Sequence, residues 1–197
     1  MKFSEIIIQE GKKITPNFSL DANNLRKNYQ TVYEGFKNSF ICPLECPKKG
    51  FLHVGGVGVG KTILMRIFQR IMRNTERRFK WLSAYELKDL LETEGVAWVK
   101  KHYGRDLKQD LYIDDIGVTS SDYMKYGNTT NILAELLLER YDLFISEGYL
   151  THLSTNLPPR HNDAKVPTLE KILTARVMDR VREMCQIITF EGGSLRK

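Results

Sequence analysis

Apolar residues in this chain switch repeatedly between two spacings, and the switching predicts an architecture. Phe51-Leu52-His53-Val54, Phe79-Lys80-Trp81-Leu82, Asp110-Leu111-Tyr112-Ile113, residues 149–156 and Cys185-Gln186-Ile187-Ile188-Thr189-Phe190 are short β-prone runs of strand length. Between them the apolar positions return every three or four residues. This holds over 62–71, at Leu87, Leu90 and Leu91, from Ile132, Leu133, Leu136 and Leu137 to Tyr141 and Phe144, and at Leu169, Ile172, Leu173 and Val177. That period places one apolar stripe on each of four helices. Ser83 and Glu86 have the spacing of a capping box at the start of the second, and Gly148 closes the third. Strands alternating with helices predict a three-layer α/β domain around a mostly parallel five-stranded sheet.

The first 49 residues are less clearly patterned. They read as an arm packed on the body, with a short strand expected over 5–8. A helix follows, with Asp21 as N-cap and Leu25, Tyr29, Val32 and Phe36 on one stripe. Residues 42–50 read as a loop feeding the first core strand, and 118–127 as another loop. The expected organisation is an N-terminal arm and helix over 1–49 and one core domain over 50–197, the chain's 197 residues being an ordinary single-domain length.

Composition adds boundaries rather than chemistry. No apolar run approaches membrane-spanning length, and the early Glu5 and short apolar stretch do not fit a secretory signal, so a cytoplasmic protein with no membrane partner is expected. Three cysteines are an odd number and argue against a disulfide framework. Cys42 and Cys46 could supply two metal ligands, but a closed zinc site needs four and no second pair accompanies them. They read as reduced thiols. The net charge of +6 permits a nucleic-acid partner without demonstrating one.

The chemistry begins where the first strand ends. Gly55-Gly56-Val57-Gly58-Val59-Gly60-Lys61-Thr62 fits G-x-x-x-x-G-K-[ST], with a strand before it and the helix over 62–71 after it, and together with Ile63 it is the expected nucleotide-binding segment. In such a loop successive backbone N–H groups wrap nucleotide phosphates, and glycine lets the backbone come close. Lys61 would reach the β- and γ-phosphates and Thr62 would hold Mg²⁺, which makes ATP and Mg²⁺ the expected cofactors. Asp110-Leu111-Tyr112-Ile113-Asp114-Asp115 is a β-prone run ending in two adjacent carboxylates. Asp114 is expected to order the metal shell and Asp115 to polarise the attacking water, because ligands of parallel α/β sheets collect at the carboxyl ends of strands. Asn156, at the end of the fourth strand, could hold that water or the γ-phosphate. Trp98, Lys100, Lys101 and Tyr103 interleave bases with aromatics, a combination that stacks and neutralises single-stranded DNA. An ordinary amphipathic helix with a lysine-bearing outer face explains them equally well.

Taken together, the chain resembles the AAA+ ATPases of the DnaC/IstB type, replicative-helicase loaders and transposition helper ATPases. The resemblance covers roughly residues 50–190. It rests on the loop at 55–62, on Tyr112-Ile113-Asp114-Asp115-Ile116-Gly117, on Ser154-Thr155-Asn156-Leu157 and on Ala175-Arg176-Val177-Met178-Asp179-Arg180-Val181. It implies that Asn156 is a sensor residue, that Arg180 is an arginine finger acting on a neighbouring subunit with Arg176 one turn before it, and that the protein forms an ATP-dependent homo-oligomer. It further implies a helicase or transposase partner and the absence of a C-terminal helical lid. Asp179 and Glu183 offer both arginines an intramolecular ion pair instead. The function expected is ATP binding and hydrolysis on DNA, as a helicase loader in replication or, alternatively, a transposition helper. The rival from another class is a P-loop kinase of a nucleotide or metabolite.

Overall fold

The computed structural model describes residues 3–19, 31, 32, 34, 48–119, 122–125 and 128–194. Five strands form the central sheet: β1 (Gly50–Gly55), β2 (Phe79–Ser83), β3 (Asp110–Ile116), β6 (Thr151–Thr155) and β7 (Cys185–Phe190). Their order is β2-β3-β6-β1-β7, and every neighbouring pair is parallel. Each connection therefore carries at least one helix back across the sheet, as parallel pairing requires.

Alternation along the strands sorts their side chains onto two faces. Leu52, Val54, Leu82, Leu111, Ile113 and Leu153 face a layer built by α3 (Ala84–Thr93), α4 (Val96–Tyr103), α5 (Ile132–Glu147) and α6 (Leu169–Met184). Phe51, Phe79, Tyr112, Ile188 and Phe190 face α2 (Lys61–Met72) and the N-terminal α1 (Phe3–Ile14). The capping box of α3 is made as expected: Ser83 Oγ accepts from the Glu86 N–H at 3.1 Å and the Glu86 carboxylate accepts from the Ser83 N–H at 3.4 Å. The expected three-layer α/β fold is the one observed.

The α2 side of the sheet is unusual in carrying two imidazoles. His53 and His152 are fully buried among Phe51, Phe79 and Phe190. The Phe51 N–H donates to His152 Nδ1 at 3.2 Å, whereas neither ring nitrogen of His53 has a hydrogen-bond partner among the described residues. Burial lowers the pKa of both to about 3, aided for His53 by the charge of Lys61 and for His152 by that of His53. At neutral pH both rings are uncharged. On the far side of the sheet, the buried Arg140 guanidinium donates to Thr151 Oγ1 and to the carbonyls of Leu107, Gln109 and Leu150, fixing the entries to β3 and β6.

Two expectations are corrected. Residues 5–8 are helical, because α1 turns Ile7 into the core beside Phe18, which lies in contact with Gly11 one turn later. The tertiary face outweighs the β preference of the isoleucine run. Within 118–127, the expected loop contains a strand, β4 (Asp122–Lys125), paired antiparallel with β5 (Asn128–Asn131). Of the helix expected around Leu25, Tyr29, Val32 and Phe36, only 31, 32 and 34 fall among the described residues; they are helical, and Val32 is buried. Cys42 and Cys46 lie outside them. No described helix is long and apolar enough to cross a membrane.

Candidate nucleotide site

Three strands deliver the site. β1 ends at the glycine loop, β3 at Asp114 and Asp115, and β6 at Asn156, so the inserted β6 sets its polar residues between the loop and the acids. Gly58 and Gly60 sit at φ 81° and 98°, where a side chain would be strained, and a Cβ on Gly58 would also collide with Ser194. Gly60 is the N-cap of α2 and contributes no capping side chain, which leaves the first-turn N–H groups without intrahelical acceptors.

Lys61 opens α2 and is only 4% exposed. Its ammonium donates to Gly55 O at 2.7 Å, Gly56 O at 2.8 Å and Asn156 Oδ1 at 2.7 Å. The lysine and asparagine named from sequence are thus in direct contact across β1 and β6. Thr62 Oγ1 donates to Asp114 Oδ1 at 3.2 Å, bringing the two expected metal ligands together.

Asp114 is buried at 6% exposure and collects two more hydroxyls: Tyr112 Oη donates at 2.7 Å and Ser154 Oγ at 2.6 Å. Ser154 Oγ also accepts the Asp115 N–H at 2.9 Å. Burial, with the Asp114 charge, raises the Tyr112 pKa well above its usual value, so the phenol remains a donor. Asp115 itself has φ 56°, in the left-handed region, and the β3–β6 register shifts between Ile113 and Ile116. Aspartate tolerates that region better than most residues, and an irregularity of this kind re-aims side chains at a strand end. Tyr112 and Ser154 hold the two acids by hydrogen bonds, a support that motif reading passes over. Their signal was available in part, since Tyr112 shares a strand face with Asp114.

The residues present fit a magnesium nucleotide. A glycine loop running into a helix N-terminus, with a buried ammonium beside it, suits phosphate, and a hydroxyl beside a carboxylate is the all-oxygen donor set that Mg²⁺ takes. Val57, Val59 and Ile63 complete the expected loop, with Val57 at its exposed tip and Val59 buried beneath it.

Outside this site the expected residues separate. Arg176 is exposed and follows a kink in α6 at Thr174, whose φ of 69° is rare for a β-branched residue. Arg180 lies against α5, its guanidinium 4.6 Å from the Tyr141 ring centroid and 3.4 Å from Glu183 Oε2. Of the intramolecular pairs open to it, the Glu183 one is made, while Asp179 pairs with Arg182 at 3.0 Å.

The stretch expected to meet DNA does not present one surface. Six consecutive helical residues point around more than a full turn. Tyr103 is buried, with the Lys80 ammonium 4.0 Å over its ring, and so is corrected from a base-stacking group to a core residue. Lys100 bridges Glu135 at 2.5 Å and Glu139 at 3.5 Å. Arg105 pairs with Asp142 and Lys108 with Glu147. An acidic row on α5 therefore neutralises much of the basic segment. Lys101 stays exposed, and Trp98 is half-buried and stacked on His102 at 3.8 Å.

A parallel sheet in this order, with a glycine loop on β1, paired acids on β3 and a polar β6 end between them, is a three-layer α/β fold of the P-loop kind, and several solved replication proteins share it. The sequence matches no protein-family model and no curated protein. Among solved structures, the fold is similar to that of a Streptococcus pyogenes serotype M3 protein described as a primosome component, at 16% identity and a TM-score of 0.58, over 92% of this chain and 87% of that one. It is similar to the DnaC helicase loader at 18% identity and a TM-score of 0.53, over 88% of this chain and 92% of the loader. It also matches the replication initiator DnaA bound to AMPPCP and single-stranded DNA, at 17% identity and a TM-score of 0.59, over 90% of this chain and 49% of DnaA. The chain thus spans about half of that initiator's length.

Proposed function

We propose that this protein is a Mg²⁺-dependent ATPase of the AAA+ type that acts on DNA in replication, as a helicase loader working in an ATP-dependent homo-oligomer. The observation that carries the reading is the coupled pair of contacts at the strand ends, Lys61 to Asn156 and Thr62 to Asp114. Together they hold a cation suited to phosphate and an oxygen pair suited to a metal beside the same glycine loop, which supports this reading. Mg-ATP, when bound, supplies the reactive γ-phosphoryl group and the cation that screens its charge.

The chain's own residues then divide the work. Loop N–H groups and Lys61 bind the phosphates, and Thr62 and Asp114 hold the metal. Asp115 takes the position of the group that polarises the water, and Asn156, bonded to Lys61, senses whether a γ-phosphate is present. Arg180 acts in the neighbouring subunit's site, with Arg176 nearer the kink as a second cation, and so ties hydrolysis to assembly. Similarity in fold to the DnaC loader over nearly the whole of both chains supports a role of that kind, with a transposition helper of the same type as the alternative. Residues 1–49 form the arm carried by a core over 50–197, and single-stranded DNA is the polymer bound.

Mixing two inactive variants tests this reading. Asp115→Asn keeps Mg-ATP affinity and loses turnover; Arg180→Ala keeps affinity and loses hydrolysis that rises more than linearly with protein concentration, by about 10³-fold. In a mixed oligomer some shared sites contain both Asp115 and Arg180, so activity partly returns. Absence of rescue, in variants whose affinity is intact, would reject the trans-acting role.

A further inference from the structure

Arg180 is not alone on its face of the molecule. Tyr141 on α5 and Glu183, one turn beyond Arg180 on α6, form a closed cluster with it: Tyr141 Oη donates to Glu183 Oε2 at 2.8 Å, and Arg180 Nη1 donates to Tyr141 Oη at 3.2 Å and to Glu183 Oε2 at 3.4 Å. The guanidinium also rests on the Tyr141 ring. That ring is anchored in turn, since it packs at the margin of the α5–α6 core with Phe144 6.5 Å away. Both polar contacts of the arginine fall on Nη1. A guanidinium carries five N–H donors in a rigid fork, and the edge formed by Nε–H and Nη2–H matches two phosphate oxygens. Among the described residues no hydrogen bond engages that edge, and the Arg180 side chain keeps 43% of its exposure.

We propose that Tyr141 and Glu183 are positioning residues for Arg180, fixing its Nη1 so that the Nε–Nη2 edge is offered, already oriented, to the phosphate of a nucleotide bound by the adjoining copy of the chain. This inference rests on the reading of Arg180 as a trans-acting residue. The physical reason for such a clamp is the arginine's length. An unheld side chain in solvent must be ordered when subunits meet, and each bond to phosphate is weakened by that ordering. A clamp on one nitrogen orders the chain beforehand and leaves the recognition edge open. The Tyr141 ring stacks on the cation without competing for its N–H groups. The Glu183 charge is shared between a phenol and a cation, which leaves Arg180 able to attract phosphate.

The test uses the full chain under conditions where hydrolysis depends on its concentration. Tyr141→Phe keeps the ring and removes only the hydroxyl. The assembly-dependent kcat should fall about five- to tenfold, with KM for Mg-ATP and Tm unchanged, because the lost contact acts through Arg180 and not on nucleotide binding. Glu183→Gln keeps an acceptor for the phenol and should retain more than half of the activity. In an Arg180→Ala background, Tyr141→Phe should cause no further loss. An unchanged or raised kcat in Tyr141→Phe, or losses that multiply with those of Arg180→Ala, would overturn the clamp while leaving a trans-acting Arg180 intact. If Arg180→Ala itself leaves hydrolysis unaltered, the underlying reading fails and the clamp fails with it. A fall in Tm equal in all three variants would assign the cluster to tying α5 to α6.

Discussion

The nucleotide pocket and the arginine-bearing flank are built from the same kinds of polar side chain under opposite constraints. At the strand ends Lys61, Asp114, Ser154 and Thr155 are buried, and each has its hydrogen bonds made within the fold. Leaving any of them unpaired would cost about 1–3 kcal/mol, so their geometry is set before any ligand arrives. On and just after α4, and on α5 and α6, several charged residues are partly or largely exposed and held by ion pairs, Lys100 with Glu135, Arg105 with Asp142, Arg180 with Glu183. Pairs of this sort contribute only about 0–1 kcal/mol each. The pocket can therefore be read from one chain, whereas what the flank does depends on what docks against it.

The sharpest contrast should come from two single substitutions. Lys61→Ala removes the buried ammonium and with it a charge-assisted contact to phosphate, so Mg-ATP affinity by calorimetry should drop by at least ~100-fold. Arg180→Ala should leave that affinity nearly unchanged. Comparable losses in the two would dissolve the distinction between a pocket complete in one subunit and a flank completed by another.

The interior behind the pocket should also respond to acid in a way the flank does not. His53 and His152 titrate near 3 when folded and near their ordinary 6.5 when unfolded, so between those values the unfolded chain binds more protons. Stability is fully present above about pH 6.5 and falls as the pH drops through that window. Asp110 opposes this: burial raises its pKa to about 6, so its contribution is present at low pH and lost as the pH rises through 6. From pH 7 to pH 5 each imidazole should cost about 2 kcal/mol and Asp110 should return about 1 kcal/mol. A fall in Tm of roughly 5–10 °C is expected, about two thirds of it abolished by His53→Leu. A flat Tm would mean that the rings find partners or water on protonation.

A smaller effect probes the support beneath the acids. Ser154→Ala removes the hydroxyl that donates to Asp114 and accepts from the Asp115 N–H, at a cost of about 1–2 kcal/mol in stability. The Mg²⁺ concentration that half-saturates hydrolysis should rise severalfold while ATP binding without metal is retained. If the metal requirement does not move, Ser154 only ties β3 to β6.

Much of the pocket was legible because its chemistry demands residue types at fixed spacing. Glycines at 58 and 60, Lys61-Thr62 and Asp114-Asp115 could be named from local sequence, and Asn156 from its place at the end of a strand. Their association across β1, β3 and β6 could not, because strand order is decided by long-range pairing that no short window encodes. The β4–β5 pair was hidden because Asp122–Lys125 and Asn128–Asn131 lack an alternating apolar face. The α1 helix was obscured by three adjacent isoleucines. The basic stretch misled for a different reason: its partners, Glu135, Glu139 and Asp142, lie on another helix, spaced at 4 and 3 along α5. Only the fold matches that acidic row to Lys100 and Arg105.

That match leads to the finest distinction, between two adjacent lysines. Lys101 is exposed, whereas Lys100 is bonded to Glu135, and this bond chiefly raises the Lys100 pKa and keeps it charged. A phosphate can claim Lys100 only by displacing a carboxylate at 2.5 Å, so its exchange gains little, while Lys101 gives up water alone. With a fluorescent single-stranded oligonucleotide, Lys101→Ala should reduce the magnitude of the log-affinity against log-salt slope by about 0.7, the share of one phosphate contact. Lys100→Ala should change the slope less, and Glu135→Gln should strengthen binding by freeing Lys100. Equal losses for the two lysines, with no gain from Glu135→Gln, would show that the α5 acids yield when DNA arrives. The flank would then be as open to DNA as its composition suggests.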